Sequence, residues 1–236
     1  MSDRPIIFSA PMVRALLDRR KTMTRRVIVP PAPFAVGDDI EIPLATGSIK
    51  PKWQVGDRLW VREGGFLITH PNWHNPTTRQ DVWEPVGWRH AADDAISGFN
   101  GHDPGPYIGD CSQKRSPSIH MPRWASRLTL TVTGVKVERL QEISEADARA
   151  EGVPAVMEGN TGDEIYCPTC QGNGVHGALG ANYGATEVDC SECDTAKKRF
   201  ANLWQSINGP GSWEANPWVA CYSFTVERRN IDEARP

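Results

Sequence analysis

Apolar and polar positions alternate with a clear period in only a few stretches, and those set the expected elements. Pro5-Ile6-Ile7-Phe8 is a short apolar strand. Ser9 can cap a helix through Met12, Val13, Leu16 and Leu17, whose spacing makes one apolar face. Val27-Ile28-Val29 resumes extended structure, which leaves Lys21-Thr22-Met23-Thr24 in the turn between helix and strand.

Val55-Gly56-Asp57 reads as a turn into the strand Arg58–Arg62, and Leu128 to Val137 alternates well, with Gly134 as a bend. Ser144 and Asp147 have capping-box spacing, with Ile143 at the staple position. The short helix they open stops at Gly152 and Pro154, so Glu151 falls in its last turn. A carboxylate is electrostatically unfavourable at that end. Asp194 or Thr195 caps a helix through Phe200, Leu203, Trp204 and Ile207, and Asn208-Gly209-Pro210-Gly211 ends it. Trp218–Val226 is a closing strand.

Between Gly64 and His120 the periodicity fades. The stretch is rich in Pro, Gly, Trp and His and reads as a loop-rich insertion that can include a lid. The whole chain, 1–236, is expected to be one α+β domain with this insertion and a second at about 155–195.

Composition narrows the class. No apolar run approaches the roughly 20 residues of a membrane helix, and no secretory signal core opens the chain, so a cytoplasmic location without membrane contact is expected. The net charge of −3 makes the protein no general trap for nucleic acid. Locally the balance is different: Arg14, Arg19, Arg20, Lys21, Arg25 and Arg26 face one acid, Asp18, within thirteen residues. Such a run either meets phosphate or is a solvated helix end. Nine tryptophans are spread along the chain; indoles stack on bases, though packing is their ordinary role.

The most specific spacing is that of the cysteines. Cys167-Pro-Thr-Cys170 and Cys190-Ser-Glu-Cys193 are two knuckles separated by 19 residues, a pattern for tetrahedral zinc. Gly172, Gly174, Gly177 and Gly180 ease the fold-back of the loop between them. Four thiolates leave no open coordination position, so the expected zinc is structural. His176 is an alternative ligand, while Cys111 and Cys221 read as buried small apolar groups.

The segment Arg20-Lys21-Thr22-Met23-Thr24-Arg25-Arg26 follows the short strand and helix and is followed later by the Gly56-Asp57 turn. With Met121–Arg127, the acidic stretch Leu140–Glu151 and Trp204–Trp213, this layout resembles ASCH proteins of the PUA-like group, including those of phages and prophages. The resemblance implies a mixed β-barrel with short flanking helices and a cleft for a nucleoside or RNA. Some small ASCH proteins are amidohydrolases that remove the acetyl group from N4-acetylcytidine. Their catalytic residues fall on Lys21, Thr24 and Glu151, with Glu145 and Glu142 as rivals for the acid. Arg20, Arg25 and Arg26 would bind substrate or phosphate, no metal would be needed for catalysis, and a monomer is expected. The small enzymes are little more than the barrel. The insertion from Gly64 to His120 would either enlarge the substrate from nucleoside to RNA or cover the cleft.

The chemistry is coherent independently of the resemblance. A threonine hydroxyl needs a neighbour to take its proton, and a desolvated lysine among cations has lowered proton affinity. Three other readings stay open: a non-catalytic RNA-binding module, a ribonuclease, and a phage accessory or assembly scaffold.

Overall fold

The computed structural model describes residues 3–29, 50–72, 82–98, 112–153, 167, 169–170, 175–179 and 185–233. Among them the strands are β1 (Asp3–Ile7), β2 (Met23–Val27), β3 (Arg58–Arg62), β4 (Gly65–Asn72), β5 (Val82–His90), β6 (Ile96–Gly98), β7 (Ser112–Ser116), β8 (Thr129–Arg139), β9 (Val175–Leu179), β10 (Ala185–Asp189) and β11 (Trp218–Glu227). The α-helices are α1 (Ala10–Leu17), α2 (Glu145–Ala150) and α3 (Ala196–Asn208). None is long and apolar enough to cross a membrane. The chain falls into two compact units, the first from 1–17, 56–132 and 225–236, the second from 18–55 and 133–224.

In the first unit β1 runs parallel to β3, and β3 runs antiparallel to the start of β8. Ile6, Phe8, Val13, Leu16, Leu59, Trp60, Val61 and Leu130 are buried there; β3 is covered on both faces, and α1 turns its apolar face inward. Each such side chain contributes roughly 1.5–3 kcal/mol through burial. The stretch expected to be loop-rich carries an antiparallel sheet of order β6-β5-β4-β7. Its register shifts between Ile68 and Thr69, and Pro71 and Pro85 lie in its strands, so no clean period of two survives in the sequence. Trp88 is fully buried against Met121 and Ala125.

In the second unit β2 pairs antiparallel with β11. The core gathers Leu140, Ile143, Ala148, Val153, Phe200, Trp204, Val219 and Cys221. Two of the three expected caps, those of this unit, form: Ser144 Oγ accepts from the Asp147 N–H at 3.1 Å, and Thr195 Oγ1 from the Lys198 N–H at 3.2 Å. Gly209 and Gly211 adopt positive φ of 95° and 78° where α3 ends. Ile207 is exposed rather than part of the apolar face of α3.

The class is mixed α+β with short helices, as expected. The barrel is not: among the described residues the strand orders are open, and no outer strand pairs back on the first. Alternation reports which face of a strand is buried and says nothing about closure, which depends on pairing at the edges.

Candidate functional site

The basic motif begins on a bridge and continues into a strand. Lys21 pairs with Glu151 as an isolated antiparallel bridge, the Thr22 N–H donates to the Ala150 carbonyl at 2.8 Å, and the Phe224 N–H donates to the Thr22 carbonyl at 3.0 Å. Met23 and Thr24 therefore belong to β2 rather than to a turn, with Thr24 opposite Tyr222 and Arg25 opposite Cys221. Pairing with β11 imposes extended structure on a polar segment that has no strand period of its own.

Lys21 is fully buried, and its ammonium donates to Glu151 twice, to Oε2 at 2.7 Å and to the backbone carbonyl at 2.8 Å. Burial lowers the proton affinity of Lys21 below the ordinary lysine value, against the opposing pull of Glu151. Glu151 caps the C-terminal end of α2. Its unfavourable place near the helix C-terminus is offset by Lys21 and by Arg25, whose Nη1 donates to Oε1 at 3.1 Å.

Arg25 is also buried. Its Nη2 donates to Glu138 at 2.7 Å and to Asp147 at 3.0 Å. Burial would weaken the hold of Arg25 on its proton, yet Glu151, Cys221 and Glu138 outweigh it and raise the net value. Lys136 bridges the same two acids, 2.9 Å from Glu138 and 2.6 Å from Asp147. Lys21, Arg25 and Lys136 thus balance Glu138, Asp147 and Glu151 in one network.

Arg26 leaves this network for the nucleophile candidate. Its Nη1 donates to Thr24 Oγ1 at 2.7 Å, and Thr24 is buried. Burial lowers the proton affinity of Arg26, with Glu151 and Tyr222 acting the other way. Tyr222 itself packs edge-on against Trp53, with ring centroids 4.8 Å apart.

The remaining site residues separate. Arg20 donates to the Gly152 carbonyl at 3.0 Å and to Asp18 at 3.1 Å. Glu145 accepts from the Ala196 and Lys197 N–H groups at 2.9 and 3.0 Å, and Glu142 accepts from the Arg139 N–H at 3.0 Å. Of the three candidate acids, Glu151 is the one against Lys21. Glu138 and Asp147 join the site without belonging to the basic motif. Asp147 and Glu151 are four apart, a helical spacing that puts both on one face and is the signal by which the first could be found.

No family model, curated protein or solved structure matches this chain.

The four knuckle cysteines are all buried, and their sulfurs lie within 4.8 Å of one another. Cys167 and Cys190 are 3.7 Å apart, Cys170 and Cys193 3.4 Å. Tetrahedral zinc with Zn–S bonds of about 2.3 Å needs sulfurs about 3.8 Å apart, so the cluster can hold a metal ion such as zinc. The second knuckle is clasped by α3: Arg199 donates to the Cys193 carbonyl at 2.8 Å and Lys198 to the Ser191 carbonyl at 2.7 Å. The side chain of His176 and all of Cys111, Gly172, Gly174 and Gly180 lie outside the described residues. Cys221 is buried, and its thiol donates to Glu138 at 3.3 Å.

Proposed function

We propose that this chain is an ASCH-type amidohydrolase that removes an acyl group from N4-acylated cytosine in a nucleoside or RNA. The observations that carry this reading are the buried Lys21–Glu151 pair and, three residues on in the same motif, a buried Thr24 hydroxyl that accepts from Arg26. Burial disfavours the charged form of Lys21, the direction a general base needs.

In the proposed reaction Lys21 takes the Thr24 proton as Oγ1 attacks the acyl carbon, and Arg26 stabilises the oxygen charge that develops. The C–N bond then breaks, and the proton returns to the exocyclic nitrogen to release cytosine. Water cleaves the threonine ester, giving the carboxylic acid and restoring the hydroxyl. Zinc in the cysteine cluster has a structural part only, since four thiolates close its coordination.

The RNA-binding, ribonuclease and scaffold readings have less support. Arg25, expected to meet phosphate, has its terminal nitrogens committed to three carboxylates.

The test is hydrolysis of N4-acetylcytidine followed by chromatography. Wild type should release cytidine and acetate, and a folded Thr24→Ala variant should not. No release by the wild type, or equal release by both, overturns the mechanism.

A further inference from the structure

The first unit holds a second constellation of chemically active side chains, different in character from the basic motif. The β5–β6 hairpin turns through residues 91–95, where Asp94 takes a positive φ of 58°. This tight return brings His90, at the end of β5, beside Ser97 on β6: Nε2 and Oγ are 2.8 Å apart. On the other side of the ring, Nδ1 lies 2.9 Å from Glu63 Oε1, within ion-pair range but without the angle of a hydrogen bond.

Glu63 is in turn fixed. Arg127 donates to both of its oxygens, from Nε at 2.9 Å and from Nη2 at 3.0 Å, and uses Nη1 to reach Asp93 at 2.8 Å. Burial would raise the Glu63 carboxyl, but His90 and Arg127 outweigh it and hold it below the ordinary carboxylate value. His90 and Glu63 are buried, whereas Ser97 is only half-buried on the outer strand of its sheet. A hydroxyl at the rim, a base behind it and an ionised acid behind the base is the order in which a nucleophilic triad is built.

The backbone adds a donor. The His90 N–H donates to the Ala95 carbonyl at 2.8 Å, which sets the phase of the ladder. By the alternation of an antiparallel pair, Ser97 bonds to β5 and the Gly98 N–H points away from it, on a strand that is the outer one among the described residues. That N–H belongs to the residue after the hydroxyl, a position that supplies oxyanion donors in serine hydrolases. Trp88 lies directly opposite Ser97, and its full burial against Met121 and Ala125 fixes the strand beneath the hydroxyl.

We infer that Ser97, His90 and Glu63 form a second hydrolytic site, taking small carboxylic esters. Ser97 Oγ bonds to the acyl carbon as its proton passes to His90 Nε2. The ester C–O bond breaks, and His90 returns the proton to the departing alkoxide. Water then cleaves the acyl-serine, giving the acid and restoring Ser97. The site is independent of the Thr24 reading.

The experiment is labelling of the folded full-length protein with an alkyl fluorophosphonate, with the adduct located by peptide mass spectrometry. Ser97 Oγ would displace fluoride, forming the O–P bond. The expected result is an adduct on Ser97, formed about 100-fold or more slowly in His90→Gln, the scale of a lost general base. No adduct on Ser97 in the wild type, or an unchanged rate in a folded His90→Gln variant, overturns the proposal. Should that variant not fold, p-nitrophenyl acetate turnover decides. Turnover lost in a folded Ser97→Ala variant supports the site, and turnover kept at the wild-type level overturns it.

Discussion

Lys21 and Glu151, 130 residues apart in the chain, are joined twice through one ammonium group, which reaches both the carboxylate and the backbone carbonyl of its partner. Neither side chain has appreciable contact with water. Glu151 is the carboxylate partner of Lys21 and is held by Arg25 as well.

Breaking this pair from one side should be costly. Lys21→Met or Glu151→Gln alone is expected to destabilise the protein by about 3–5 kcal/mol, because the first leaves the buried Glu151 carboxylate with Arg25 alone and the second leaves the buried Lys21 ammonium without its carboxylate. The double variant should cost less than the two together, with a coupling on the order of 2 kcal/mol. Urea denaturation of the four proteins measures it, and strict additivity would contradict the pairing.

The cysteine cluster should carry about one metal ion per chain, a single tetrahedral site using all four thiolates. Elemental analysis of the purified protein checks the ratio. Cys190→Ser or strong chelation should remove the ion and lower Tm by about 6 °C or more, the scale of a few kcal/mol in a chain of this size.

Acid should weaken the network around Arg25. Burial would raise the carboxyls of Glu138 and Asp147, yet hydrogen bonds with Arg25 and Lys136 hold both below their ordinary values of 4.5 and 3.8. A depressed folded value means stability that is present above the unfolded value and lost as pH falls through the folded one. The urea midpoint should stay level from neutrality to about pH 5 and decline below it, with a shallower decline in Glu138→Gln.

Two adjacent glycines should respond oppositely to one methyl group. A Cβ on Gly65 would overlap the Arg89 carbonyl oxygen and the Trp88 indole, lying 2.7 Å from Cε2, whereas a Cβ on Gly64 meets nothing within 4 Å. Gly65→Ala is expected to cost about 1–3 kcal/mol or more through overpacking. Gly64→Ala should stay within about 0.5 kcal/mol of wild type. Thermal denaturation separates them.

Local features were legible in the amino-acid pattern. Ser144 and Thr195 cap their helices because a cap needs only a side chain within reach of N–H groups two or three residues on. The cysteine knuckles cluster as their spacing implies. The insertion was less legible: the sheet formed by β4 to β7 is interrupted by prolines and a register shift, so its strands lack the alternation by which strands are recognised.

The fate of the basic run marks the boundary between the two kinds of information. Its charges read as either a phosphate contact or a solvated helix end, but Lys21 and Arg25 are buried against acids supplied by β8 and α2. The helix caps and the spacing within each cysteine knuckle are written in the chain itself, because each depends on neighbours a few residues away. Folding in three dimensions chose Glu151 over Glu145 and Glu142 as the partner of Lys21 and laid His90 against Glu63. Those choices depend on strand pairing and burial across long separations, and no local pattern encodes them.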